Sequence, residues 1–79
     1  MDRTARRLFE SCRNNDIEEI KHLLYDKKKV DPNVRDSDNE TPLYVACSEG
    51  HLNVVNSLLK ASANVDLADN DGLTPLYYA

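Results

Sequence analysis

The chain has 79 residues, 41% of them apolar and 30% charged, with a net charge of −4 and two cysteines. This length allows one small domain, and the near-average composition excludes a collagen-like or disordered chain. No apolar run reaches the roughly 18 residues that cross a bilayer, and no apolar segment typical of a secretory signal follows Met1. Because two cysteines are too few for a disulfide scaffold, we expect a cytoplasmic or nuclear location.

Two short helices are predicted in the first thirty residues. The first has Ala5, Leu8, Phe9 and Cys12 at i, i+3, i+4, i+7 spacing, which forms one apolar face. Asn15 is expected to end it, because asparagine tolerates the left-handed conformation of a helix C-terminus. The second has its N-cap at Asp16 and basic residues at 27–29 beyond its end. Its apolar face consists of Ile17, Ile20, Leu23 and Leu24.

A turn sequence at 36–39 precedes a second pair of predicted helices. Thr41 is the expected N-cap of the third helix, Pro42 its first residue, and Gly50 the residue that ends it. The apolar stripe of this third helix consists of Leu43, Ala46 and Cys47. The inner face of the fourth helix consists of Leu52, Val55, Leu58 and Leu59. A second turn sequence follows at 69–72.

The sequence repeats itself. Thr-Pro-Leu-Tyr at 41–44 recurs thirty-three residues later at 74–77. A weaker copy lies thirty-five residues upstream, where the apolar positions of the first two helices match those of the third and fourth. Such a period is typical of an array of stacked helical repeats.

Several motifs together identify the family that the repeat resembles. They are Thr-Pro-Leu-Tyr-x-Ala at 41–46, Gly-His-Leu at 50–52, paired apolar residues at 54–55 and 58–59, and Asn-Val-Asp at 64–66. This combination resembles the ankyrin repeat. The resemblance implies an all-α helix-turn-helix repeat stack with hairpin-like turn loops, about two repeats plus the first helix of a third. The implied units are an N-terminal cap-like repeat at 1–33, a full internal repeat at 34–66, and the start of a third at 67–79.

One departure from the family pattern concerns the residue after Thr-Pro-Leu. Ankyrin repeats usually have histidine there, whereas this chain has Tyr44 and Tyr77. A tyrosine can still pack its ring and direct its hydroxyl to a neighbour or to water. Whether it replaces the hydrogen bonds of the histidine stays open at the level of sequence.

The resemblance also implies a function, which is binding another protein. Ankyrin partners generally lie against the concave side, formed by the tips of the turns and the outward positions of each first helix. Residues 31–79 hold two basic and eight acidic residues, so a basic surface or segment suits them as a partner. We expect Asp36, Asp66 and Asp69 to stabilise the turns themselves. The implied partner-binding residues are Arg35, Ser37, Asp38, Glu40, Ser48, Glu49, Ala68, Asn70, Asp71 and Leu73.

Two other functions remain open. The chain can be a structural or targeting segment of a larger multidomain protein or enzyme, without a partner of its own. More weakly, its basic N-terminal helix can bind an anionic ligand through Arg3, Arg6, Arg7 and Arg13, together with the lysines at 27–29. A nucleic-acid or membrane partner is not expected, since aromatic residues do not alternate with these basic ones and a cap-forming face explains them.

The sequence predicts no catalytic, cofactor or metal site. His22 and His51 lack the closely spaced partners that a zinc site needs. No serine lies in Gly-x-Ser-x-Gly, and two glycines cannot make a phosphate-binding loop. Cys12 and Cys47 are expected to be small apolar residues rather than a disulfide.

The repeat pattern stops at Ala79, inside the first helix of the third unit. Repeat arrays are stabilised by contacts between neighbours and need about three units. We therefore expect the chain to be a fragment of a longer array, or otherwise to self-associate through its uncapped C-terminal end.

Overall fold

The computed structural model describes residues 3–25 and 30–75. These ranges contain four helices, α1 (Arg3–Asn14), α2 (Ile17–Tyr25), α3 (Pro42–Glu49) and α4 (Leu52–Lys60), and no strand. The predicted all-α class is confirmed. The predictions for the basic residues at 27–29, for Tyr77 and for the helix of the third repeat beyond Pro75 concern residues outside the described ranges.

The four helices form two layers. The first helices of the two repeats, α1 and α3, pack against each other, and so do the second helices, α2 and α4. Each first helix also packs on the second helix of its own repeat. The shared core contains Leu8, Phe9, Cys12, Ile20, Leu23, Leu24, Leu43, Val45, Ala46, Val54 and Leu58. None of the helices in the described ranges has the length and apolarity to span a membrane.

The helix starts follow the predicted capping chemistry. The Asp16 carboxylate accepts a hydrogen bond from the Glu19 backbone N–H at 3.2 Å, at the start of α2. The Thr41 hydroxyl oxygen accepts one from the Tyr44 N–H, also at 3.2 Å, and Pro42 follows as the first residue of α3. These bonds satisfy amide donors that have no partner within the helix. Both predicted N-caps are confirmed.

The ends of three helices depend on a left-handed residue. Asn15 has φ 57° after α1, and Gly50 has φ 73° after α3, as their residue types predict. Ser62, just after α4, has φ 69°, a left-handed conformation that its residue type does not predict. Serine lacks the conformational freedom of glycine, so this position stores backbone strain.

The inner face of α4 differs from the prediction. Leu58 is fully buried and Val55 partly buried, but Leu52 is 70% exposed and Leu59 42% exposed. Val54, which the prediction left out, is fully buried. The reason is that α4 faces α2 and α3 through Val54 and Leu58, while no described element covers the side that carries Leu52 and Leu59.

Replacing Ser62 with glycine should stabilise the protein. Because glycine adopts positive φ without steric cost, we expect Ser62→Gly to raise the free energy of unfolding by about 0.5–1 kcal/mol in urea denaturation. Ser57→Gly, the same substitution inside α4, should lower it by about 0.5 kcal/mol. A change of the same sign in both variants would contradict the strain assigned to Ser62.

Candidate functional site: the finger face

The first finger, residues 36–40, is a closed turn held by one aspartate. The Asp36 N–H donates to the Glu40 carbonyl and the Asn39 N–H to the Asp36 carbonyl, both at 3.0 Å. The Asp36 carboxylate accepts from the N–H groups of Asp38 and Glu40, both at 2.9 Å. Asn39 has φ 61°, a left-handed conformation that asparagine tolerates better than most residues.

The second finger, residues 69–73, has the same construction. The Asp69 N–H donates to the Leu73 carbonyl at 2.8 Å, and the Gly72 N–H donates to the Asp69 carbonyl at 3.0 Å. The Asp69 carboxylate accepts from the N–H groups of Asp71 and Leu73, both at 2.9 Å. The predicted turn-forming role is therefore confirmed for Asp36 and Asp69.

Asp66 does not make the turn expected of it. Its backbone N–H donates to the Asn64 side-chain oxygen at 2.9 Å, so Asn64 supplies the side chain that forms the turn. Asn64 in turn donates its own N–H to the Asn33 side-chain oxygen at 2.7 Å. Both residue types can make this kind of turn, and the sequence alone did not distinguish them.

The two fingers are joined side by side. The Asn70 N–H donates to the Asp38 carbonyl at 3.1 Å. The Asn39 side-chain N–H₂ donates to the Asn70 side-chain oxygen at 2.8 Å. These bonds connect residues about one repeat apart and hold the finger tips at a fixed spacing.

Tyr44 adds a further link from the first helix of the internal repeat to the second finger. Its side chain makes a hydrogen bond with the Asp69 carboxylate, and this bond is the largest cause that lowers the pKa of Asp69. The N–H groups of Leu73 and Asp71 lower that pKa further. Tyr44 is buried, so its ring packs in the core while its hydroxyl reaches the neighbouring turn. The tyrosine thus makes a bond between repeats at the position where the family has histidine.

The carboxyl group of Glu40 lies in a strongly negative environment. Burial raises its pKa, and so do the charges of Asp36, Asp38 and Asp69. Arg13, near the end of α1, lowers the pKa of Glu40. The surroundings of Glu40 are therefore negative on the side of the two fingers, with the basic Arg13 on the α1 side.

The predicted partner-binding residues divide into two groups by exposure. The exposed ones are Arg35, Ser37, Asp38, Ser48, Glu49, Asn70 and Asp71, and the partly buried ones are Glu40, Ala68 and Leu73. Within the described ranges, the Asp38 and Asp71 carboxylates accept no hydrogen bond and form no ion pair. The side chains of Asn70 and Ser48 are used internally, Asn70 with Asn39 and Ser48 with the Val45 carbonyl at 3.0 Å.

His51 has a role that sequence reasoning missed. His51 directly precedes α4, but its side chain makes no capping hydrogen bond to that helix. Its Nε2 lies 3.0 Å from the Arg13 carbonyl oxygen, so the ring N–H donates to the C-terminal end of α1 in the preceding repeat. This is another bond between repeats, and no spacing pattern could have predicted it.

The two cysteines are poor nucleophiles at neutral pH, and the acidic groups in the described ranges form no metal site. Cys12 and Cys47 are free thiols, in agreement with their predicted role as small apolar residues. Burial raises the pKa of Cys12 to about 12 and also raises the pKa of Cys47, so neither is a thiolate at neutral pH. Within 3–25 and 30–75, no cluster of histidine, cysteine or acidic residues has an arrangement that could hold a metal ion.

Paired helices in two layers, with closed turns projecting between repeats, define the class of helical repeat proteins. Comparison with known families gives the particular one, because the model for ankyrin repeats (three copies) matches residues 8–79. The chain belongs to the ankyrin-repeat family. Ankyrin repeats generally act as modules for interaction with other proteins, and the family is typically non-enzymatic.

The chain is also similar to segments of larger proteins. It shares 46% identity over 61 residues with the potassium channel SKOR of Arabidopsis thaliana, covering 77% of this chain and 7% of the channel. It shares 42% identity over 69 residues with serine/threonine-protein kinase 12 of the same plant, covering 87% and 15%. For ankyrin repeat-containing protein P1E11.10 of Schizosaccharomyces pombe, the identity is 33% over 58 residues, covering 73% and 27%. The chain therefore spans between 7% and 27% of the length of these relatives.

The bond between Tyr44 and Asp69 can be tested by titration. We expect Tyr44→Phe to raise the pKa of the Asp69 carboxyl, measured from its side-chain carbon in an NMR pH titration. A lowered pKa in the folded state stabilises the protein above the ordinary aspartate pKa, and this stabilisation is lost as the pH falls. The variant should therefore lose part of its stability at neutral pH and differ less from the native chain in acid.

Tyr25→Phe is the matched control for this titration. The Tyr25 hydroxyl donates to the Ser57 carbonyl, far from the second finger in sequence. The Tyr25→Phe variant should leave the pKa of Asp69 unchanged. An unchanged Asp69 titration in Tyr44→Phe would show that the tyrosine does not link the two repeats.

Proposed function

We propose that this chain binds a partner protein through the finger face, that is, the finger tips and the adjoining exposed end of α3. The observation that supports this most is that the aspartates of the fingers have two different roles. Asp36 and Asp69 hold the turns, whereas the carboxylates of Asp38 and Asp71 accept no hydrogen bond in the described ranges. A carboxylate that is not needed by the fold is available to a partner.

The partner favoured by this face is a basic surface or segment. The tip carboxylates, together with Glu40 and Glu49, make the face negative, and complementary potential both steers association and selects the partner. The fingers are already fixed by their own bonds and by the bonds between them, so little conformational entropy is lost on binding. Arg35, Ser37, Ser48, Ala68, Asn70 and Leu73 complete the proposed contact surface.

A second candidate is that the chain is a structural or targeting segment of a larger protein. The small share of each relative that the chain covers favours this candidate. We also propose that the repeat units are 1–33, 34–66 and 67–79. The chain is then part of a longer array of such units, and self-association is the alternative. A cytoplasmic or nuclear location is supported by the two free thiols.

The experiment is an affinity capture with two charge-reversal variants of the whole chain. Asp38→Lys with Asp71→Lys changes only the finger tips, where neither side chain takes part in a turn. Glu18→Lys with Asp66→Lys makes the same change in net charge at two exposed carboxylates outside the fingers. Both variants are first compared with the native chain by circular dichroism and urea denaturation.

The proposal predicts a set of proteins that the native chain and the Glu18/Asp66 variant retain and that the finger-tip variant loses. Direct binding of one such protein should then weaken as salt rises, because exposed charges are screened. Equal retention by all three chains would contradict the finger face as the binding site and favour the structural segment.

A further inference from the structure

The exposed side of α1 carries a basic stripe, defined here as Arg6 and Arg13. Both side chains are exposed, and seven residues correspond to two helical turns, so they lie on one side of α1, about 10.5 Å apart. Arg7 lies on another side, where its guanidinium is 2.6 Å from the Glu19 carboxylate of α2. Within the described ranges no carboxylate pairs with Arg6 or Arg13. Arg3 and Glu10 are also exposed, and Glu10 follows Arg6 by four residues and precedes Arg13 by three, so α1 keeps a basic excess on this side with one carboxylate in it.

The basic stripe adjoins the finger face. Helix α1 packs directly against α3, which begins right after the first finger. Arg13 is close enough to Glu40 to act on its carboxyl group electrostatically. Arg7 faces α2, and the C-terminal end of α1 at Arg13 contacts His51 just after α3. The stripe therefore lies on the side of α1 that is turned away from α2 and toward α3.

The two signs of charge follow each other along the stack. The basic stripe belongs to the first repeat, Asp38 to the finger of the second, and Asp71 to the finger of the third. Since the hydrogen bonds between Asn39, Asn70 and Asp38 fix the fingers side by side, this order is part of the folded structure. A partner that lies across the repeats therefore meets Arg6 and Arg13 first and the tip carboxylates of Asp38 and Asp71 afterwards.

We propose that the finger face and the basic stripe together bind a protein segment whose acidic and basic residues are separated along its length, with the acidic end at α1 and the basic end at the fingers. This inference rests on the proposed function and adds an orientation to it. Segregated charges of opposite sign favour one alignment of the partner and penalise the reversed one by like-charge contact.

The geometry also sets the length of that segment. Neighbouring helices in contact lie about 8–10 Å apart, so two repeat steps from the basic stripe to the second finger cover about 16–20 Å. An extended chain advances about 3.3 Å per residue. The acidic residue of the partner should thus precede or follow its furthest basic residue by about five or six positions.

The test uses three synthetic peptides against the whole chain in about 50 mM salt, where exposed charges are least screened. The block peptide has two glutamates, a three-residue Gly/Ser spacer and three lysines. The alternating peptide has the same composition with the charges mixed. The lysine peptide is the block peptide with both glutamates changed to glutamine.

Affinities are measured by NMR titration. The block peptide should bind about fivefold more tightly than the alternating one, as expected for two exposed ion pairs. Arg6→Gln with Arg13→Gln should abolish the advantage of the block peptide over the lysine peptide, and it should strengthen rather than weaken binding of the lysine peptide because two like charges are removed. Asp38→Asn with Asp71→Asn should weaken all three peptides.

Orientation is read with a nitroxide label on either end of the block peptide. The label at the acidic end should broaden amide signals of α1, and the label at the basic end those of the two fingers. In the charge-swapped chain, with Arg6→Glu, Arg13→Glu, Asp38→Arg and Asp71→Arg, the block peptide should still bind and the two broadening patterns should exchange.

The outcomes separate this inference from the function on which it rests. If the lysine peptide binds the fingers as tightly as the block peptide, or if both labels broaden the same signals, the orientation is wrong and the acidic binding face stands. If no peptide binds, or if none depends on Asp38 and Asp71, both the orientation and the acidic binding face are wrong.

Discussion

The structure depends on packing between neighbouring repeats. A pair of short helices cannot cover its own apolar surface, and α1 with α2 is completed only by α3 and α4. Leu8 and Ile20 of the first repeat and Leu43 and Leu58 of the second are almost fully buried in one shared core. Each such side chain contributes about 1.5–3 kcal/mol when it leaves water. The order of the repeats along the stack, and with it the position of every turn, follows from this packing.

Polar contacts then fix what the apolar core leaves free. His51 donates to the end of α1, Tyr44 bonds with Asp69, and the Asn39 and Asn70 side chains join the fingers. All of these contacts cross from one repeat to the next. The fingers are consequently held by their neighbours as well as by their own backbone bonds. A surface held in this way offers a partner fixed positions for its charges.

The acidic residues of the two fingers have different roles, which follow from their positions in the turns. The aspartates that open the fingers satisfy backbone N–H groups, and those at the tips do not, so the same residue type serves the fold at one position and is available for binding two positions later. This arrangement causes charge repulsion at Glu40, whose pKa is raised by burial and by three neighbouring aspartates. Arg13 offsets part of this repulsion, and a basic partner would offset more of it.

Much of this fold could be predicted from the sequence, because the capping residues and the apolar spacing act locally. Thr41, Pro42 and Gly50 specify the ends of α3 by their own chemistry, and the faces of α1 and α2 follow from helical periodicity. Periodicity failed at α4, where Leu52 and Leu59 fit an apolar face that no described element covers.

The bonds between repeats were not predictable for a different reason. The pairs Asn33 with Asn64 and Asn39 with Asn70 are thirty-one residues apart, whereas the sequence repeats at thirty-three. A search at the repeat period therefore aligns each asparagine with a residue other than its partner. Seven of the ten residues predicted to bind a partner are exposed, and their use by a partner is a proposal that rests on charge and availability.

Contacts between repeats make the fingers part of one cooperative structure. Native-state hydrogen exchange tests this most directly, by following the amides of Asp38, Glu40, Asn70 and Leu73 beside those of Val45 and Val55 in the helices. We expect the finger amides to be protected from exchange. We also expect low concentrations of urea to reduce the protection of the finger amides in parallel with the protection of the helix amides. Finger amides that exchange at the rate of an unstructured chain, beside protected helices, would contradict it.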